Sequence, residues 1–157
     1  NTNACGTHIH MFHKGVERPK IAAAHAMVSA LINSMNDNDW SIRLISHYGE
    51  IFSYRNPTPW CEGEYSTELR CLNSVGPKTI RFAIDITEEL LQNSFEVKEE
   101  EFNRFLQVCK IEKRTVNSNI NTILAFMLEK KVATFGQIKR MVRFLEKNYE
   151  DVANYII

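Results

Sequence analysis

From Thr7 to Phe12 polar and apolar residues alternate, the period of a short strand, and Gly15 ends it. Pro19 suits the first turn of a helix, where its missing N–H leaves no bond unmade. Beyond it Ile21, Ala24, Val28, Leu31, Ile32 and Met35 recur every three or four residues. That spacing predicts a helix with one apolar face, stopped by Asn36-Asp37-Asn38-Asp39. Asp39 is a cap for a second helix lined by Trp40, Leu44, Tyr48, Ile51 and Phe52. Asn56-Pro57-Thr58-Pro59 breaks the chain after it, because each proline pushes its predecessor out of the helical region.

A stronger strand pattern follows. Tyr65, Thr67, Leu69 and Cys71 alternate with Ser66, Glu68 and Arg70. Past Gly76-Pro77, Ile80, Phe82, Ile84 and Ile86 alternate with Thr79, Arg81, Ala83 and Asp85. Two period-2 runs about a Gly-Pro turn predict an antiparallel hairpin over 64–86 with one buried face. Thr87 then caps a short helical turn over 88–93. Residues 98–106 read as helix through Phe102, Phe105 and Leu106, and 108–116 fits either a third strand or no regular element. Asn117-Ser118-Asn119 caps a helix carrying Ile120, Ile123, Leu124, Met127 and Leu128. Thr134 and Gln137 have the spacing of a capping box for the last helix, where Ile138, Met141, Val142, Leu145, Tyr149, Val152, Ala153 and Ile156 keep one face apolar.

These elements predict an α+β fold: a small antiparallel sheet, built on the central hairpin 64–86, packed with helices. Residues 117–157 form a helical C-terminal layer. A chain of 157 residues is the size of one domain, and 44% hydrophobic content is enough for a core. Its apolar runs fall short of the ~18 residues that span a bilayer, and residues 1–15 lack the pattern of a signal peptide. Cys5, Cys61, Cys71 and Cys109 form no Cys-x-x-Cys pair, so they read as scattered core thiols of a reducing cytoplasm.

Candidate chemistry is sparse. On a strand, His8 and His10 project to the same side, as two imidazoles sharing a metal must, with Cys5 and His13 nearby. His8-Ile9-His10 also resembles the His-hydrophobic-His element of metal-dependent nucleases that cut single-stranded DNA through a tyrosine. Those enzymes place their tyrosine on a helix beside a lysine, and Tyr48 and Tyr54 have no such companion. There is no Gly-x-Ser-x-Gly elbow and no glycine-rich phosphate cradle. The run Glu99-Glu100-Glu101 reads as a solvated acidic face. The expectation is a protein without catalytic residues, cofactor or metal, with a metal-dependent enzyme at His8 and His10 as the third alternative.

Charge is more informative than chemistry. Lys+Arg and Asp+Glu balance at 19 each, which argues against a dedicated nucleic-acid carrier. The balance is uneven along the chain: residues 85–104 hold seven acidic and two basic residues, and 110–157 hold nine basic and five acidic. Lys139, Arg143 and Lys147 at i, i+4 and i+8, with Arg140 beside them, form a basic stripe that suits phosphates of RNA or an anionic lipid surface. The two charge regions also suit each other between copies of the chain. Trp60 and Tyr54, in and beside the proline loop, are candidate protein-docking residues.

The order of elements resembles the core of rhabdovirus matrix proteins. The matching stretches are His8 to Ser34 (HIHMFHKGVERPKIAAAHAMVSALINS), Thr79 to Leu91 (TIRFAIDITEELL) and Glu101 to Arg114 (EFNRFLQVCKIEKR). That resemblance implies a non-enzymatic protein that self-associates, condenses a nucleocapsid and binds membrane peripherally. Neutral charge and two C-terminal helices without a counterpart set this chain apart from the family. The leading expectation is therefore a cytoplasmic structural or interaction protein whose partners are itself, a nucleoprotein, RNA or an anionic membrane surface. The runner-up is a nucleic-acid-binding regulator acting through Lys139, Arg140, Arg143 and Lys147.

Overall fold

Between Ile21 and Asn36 the chain contains no charged residue, and this stretch becomes the centre of the protein. The computed structural model describes residues 6–11, 13–36, 54–55, 67–73, 75–98, 100–101, 104–105 and 116–148. Helix α1 (Arg18–Asn36) is buried on every side from Ile21 to Ser34. The expected face of Ile21, Ala24, Val28, Leu31 and Ile32 is inside, and so is the opposite side, made of Ala22, Ala23, Ala26 and Ala30 with His25, Ser29 and Asn33. A helix that is apolar or small all round is a core helix, not a surface one. Two of its polar contacts are local: Ser29 Oγ lies 3.2 Å from His25 Nε2, and Ser34 Oγ donates to the Leu31 carbonyl at 2.7 Å.

Strand β1 (Gly6–Met11) pairs antiparallel with β3 (Thr67–Asn73), and β3 pairs with the two-residue β2 (Tyr54–Arg55), in the order β1-β3-β2. On β1, Ile9 and Met11 are buried and His8 and His10 are exposed, the expected alternation. The register slips beyond Thr7, which opposes Leu72, because Ile9 opposes Leu69. The extra residue in β3 is a bulge. It turns both Leu69 and Leu72 inward, although three positions separate them, and simple alternation had grouped Leu69 with Cys71.

The α+β expectation is corrected by the next element. Residues 77–90, read as the second arm of the hairpin 64–86, form helix α2 (Pro77–Leu90), and helix dominates the described residues. The central hairpin does not exist, and the short β ladder gains no second arm from it. The physical reason lies in two ambiguous signals. Gly76-Pro77 suits a tight turn, but it equally suits a helix N-terminus with proline at its first position, and Ile80 N–H donates to the Gly76 carbonyl at 3.0 Å. The alternation of Ile80, Phe82, Ile84 and Ile86 overlies a second pattern, Ala83, Ile86, Thr87 and Leu90 at i, i+3, i+4 and i+7. The structure buries the second set. The turn expected over 88–93 is the end of this same helix.

Helix α3 (Val116–Glu129) starts before Asn117-Ser118-Asn119, which occupy its first turn and do not precede it. It buries Ile120, Ile123, Leu124 and Met127. Lys131 follows it at φ 60°, and Val132 N–H returns to the Met127 carbonyl at 2.9 Å, a left-handed C-terminal cap. The capping box forms as the spacing predicts: Gln137 N–H donates to Thr134 Oγ1 at 3.2 Å, and Thr134 N–H to Gln137 Oε1 at 2.8 Å. It opens helix α4 (Phe135–Asn148), which buries Gln137, Met141 and Leu145.

Helix α1 packs against β3, α2 and α3. Asn93, just past α2, ties the layers together. Its amide donates to the Val132 carbonyl at 2.9 Å and to Gln137 Oε1 at 2.7 Å, and its carbonyl accepts from Lys20 Nζ at 2.7 Å. Replacing Gln137 with alanine removes half of the capping box and leaves the Asn93 amide only its bond to the Val132 carbonyl, so urea titration should show a loss of about 1–2 kcal/mol. No helix among the described residues is long and apolar enough to cross a membrane. The helices expected over 40–52 and beyond 148, and the segment 108–115, lie outside the described residues.

Candidate interaction surface

The apolar stripe of α4 points inward, so its other side must face water. All four residues of the expected basic stripe, Lys139, Arg140, Arg143 and Lys147, are exposed. They are not equivalent. Arg140 is ion-paired to Glu89 of α2, which also accepts from Gln137 Nε2 at 3.2 Å. The hydrogen bond from Arg140 holds the Glu89 carboxyl below the usual carboxylate range, helped by Gln137 and by the charge of Arg140 and opposed by partial burial. Lys139 Nζ lies over the ring of Phe135, 4.9 Å from its centroid, and that ring is 62% exposed at the head of the helix.

A second contact sets how α2 and α4 lie together. Phe82 stacks on Phe144 with ring centroids 3.8 Å apart and an interplanar angle of 3°. Seven residues further along α2, Glu89 meets Gln137 and Arg140. Numbers rise along one helix as they fall along the other, so the two run side by side in opposite directions. The first half of α2 therefore lies beside the last half of α4. Lys78 and Arg81 join Arg143 and Lys147 at one end of the outer face, and all four are exposed. Asp85 and Glu88, also exposed, lie toward the other end with Glu89, Lys139 and Arg140.

The acidic and basic regions of the chain thus meet partly within one molecule. Glu89 binds Arg140, and Glu101 lies 3.6 Å from Lys130. Arg81 and Asp85 are 3.6 Å apart on one helix face, with 82% and 63% of their side chains exposed, a pair that water screens almost completely. The contribution of Lys78 and Arg81 was not legible in sequence. They sit on α2, more than sixty positions before Arg143, in a stretch that reads as a strand.

The other candidate residues come together less. Tyr54 lies on β2 opposite Leu69, and Trp60 lies outside the described residues. His8 and His10 are exposed on β1, and Cys5 lies outside the described residues. No three His, Cys, Asp or Glu side chains among the described residues approach closely enough to hold a metal ion. An open groove of about 680 Å³ lies along α3 between Phe105 and Asn121, Thr122, Ala125, Phe126 and Glu129. Glu129 is the one titratable group in that lining among the described residues. No protein-family model, no curated protein and no solved structure matches this chain.

Proposed function

We propose that this chain works by association: it is a structural protein of the matrix kind that self-associates. The observation that carries the reading is the divided outer face of α2 and α4, with Lys78, Arg81, Arg143 and Lys147 at one end and Asp85 and Glu88, with Lys139, toward the other, where Glu89 and Arg140 pair with each other. A face with opposite charges at its two ends is complementary to itself when a second copy is turned end for end, the requirement of a two-fold interface. Charge of this kind sets encounter and register more than raw affinity, so the association is weak and salt-sensitive.

Light scattering over a salt series tests it. The apparent mass should rise with protein concentration at low salt and fall back at high salt. Glu88→Lys and Lys147→Glu should each weaken the association, and the two together should restore part of it. A strict monomer at low salt and high concentration would remove this reading.

A further inference from the structure

We infer that the basic end of the α2–α4 face is a binding site for the phosphate backbone of a single-stranded nucleic acid. Two helices contribute to it, Lys78 and Arg81 from one and Arg143 and Lys147 from the other, and all four side chains are exposed. Phe82 against Phe144 fixes the helices beside each other at this level. Along α4 the two cations are four residues apart, a rise of about 6 Å, and along α2 three residues apart, about 4.5 Å. The stacked rings of Phe82 and Phe144 bridge the two helices between these rows. The result is two short rows of cations on one surface, which suits an anion that repeats along a chain better than a single carboxylate. Glu146, the one carboxylate on α4, is half-buried, and Asp85 is the only carboxylate on α2 within a turn of Arg81.

Arg140 is not part of this site. Glu89 holds it at the other end of the face, so the stripe seen on α4 alone contains one cation that is already neutralised. A membrane surface fits these observations less well. A helix that lies on lipid buries an apolar face in it, whereas Met141 and Leu145 of α4 and Ala83, Ile86 and Leu90 of α2 are buried inside the protein. The large apolar side chains exposed among the described residues are Leu128 and Phe135, and Phe135 sits at the head of α4, away from Lys147.

Self-association is not required for this binding, and the two are expected to compete, because the same cations serve both. The test is fluorescence anisotropy of a labelled oligouridylate at protein concentrations where scattering shows no association. The logarithm of the binding constant should fall against the logarithm of salt with a slope of about −3, the value for four neutralised phosphates on a single strand. Lys78→Gln with Arg81→Gln should roughly halve that slope and weaken binding about tenfold at low salt, while Arg140→Gln leaves both unchanged. Lys78→Gln alone should take a smaller step in the same direction without touching the Arg81–Asp85 pair. Circular dichroism of each variant shows that these exposed replacements leave the fold intact. Undiminished binding by the double variant overturns the inference, as does a loss as large in Arg140→Gln. Binding to phosphatidylserine vesicles without binding to the oligonucleotide, or binding to neither, overturns it as well. Because anisotropy is read on dilute protein and scattering without nucleic acid, failure of one reading leaves the other standing.

Discussion

Ala30→Glu is expected to abolish cooperative folding. Ala30 is wholly buried, on the side of α1 away from Ile21, Val28 and Leu31, where a helix with a single apolar face would meet water. Here that side is covered, and an introduced carboxylate has no charged partner among the buried residues described around it. Burying an unpaired ionisable group costs several kcal/mol even after it takes up a proton. That is comparable with the whole stability of a domain, about 5–15 kcal/mol. The matched control is Ala125→Glu, on the exposed side of α3, where the change should stay within about 0.5 kcal/mol. Far-UV circular dichroism during heating distinguishes the two. A cooperative melt of Ala30→Glu within a few degrees of the parent would mean that α1 lies at the surface.

The second large effect is on the acid side of neutrality. His25 is buried in α1, and desolvation lowers its pKa from 6.5 to about 4. Its Nε2 shares a hydrogen bond with Ser29, while Nδ1 has no partner among the described residues. Because the folded value lies below the unfolded one, the unfolded chain binds the proton first as pH falls. Stability from the neutral ring is therefore complete above pH 6.5 and declines between 6.5 and about 4. At 1.36 kcal/mol per unit the loss amounts to about 3 kcal/mol. Denaturant titrations across this range should show the decline in the parent and a nearly flat profile in His25→Leu. A parallel decline in both proteins would assign the acid sensitivity elsewhere. Glu89 acts at lower pH: its depressed carboxyl favours the fold above the ordinary carboxylate range and loses that contribution as pH falls through its folded value.

Several features were legible because they are local. A capping box needs only two residues at fixed spacing, and Thr134 and Gln137 form it. Strand β1 follows from strict alternation over a few residues, and α1 and α4 follow from apolar residues at helical spacing. The same spacing understated α1, whose back side holds alanine, serine, asparagine and histidine instead of charged residues. The absence of any charge from Ile21 to Asn36 was the available sign that water never reaches it.

Sequence by itself determined the capping box at Thr134 and Gln137, the helical spacing of α1 and α4, and the basic residues on the outer face of α4. Only the tertiary structure decided that residues 77–90 form a helix. Ile80, Phe82, Ile84 and Ile86 satisfy a strand's period and Ala83, Ile86, Thr87 and Leu90 a helix's, and packing against α1 buries the second set. The tertiary structure alone also decided which charges meet across elements. Arg140 is matched by Glu89 and Lys130 by Glu101, whereas Lys78 and Arg81 come to lie beside Arg143 and Lys147. Periodicity describes one element at a time, and the meeting of α2 with α4 rests on the stacking of Phe82 on Phe144, a contact between residues that no local pattern connects.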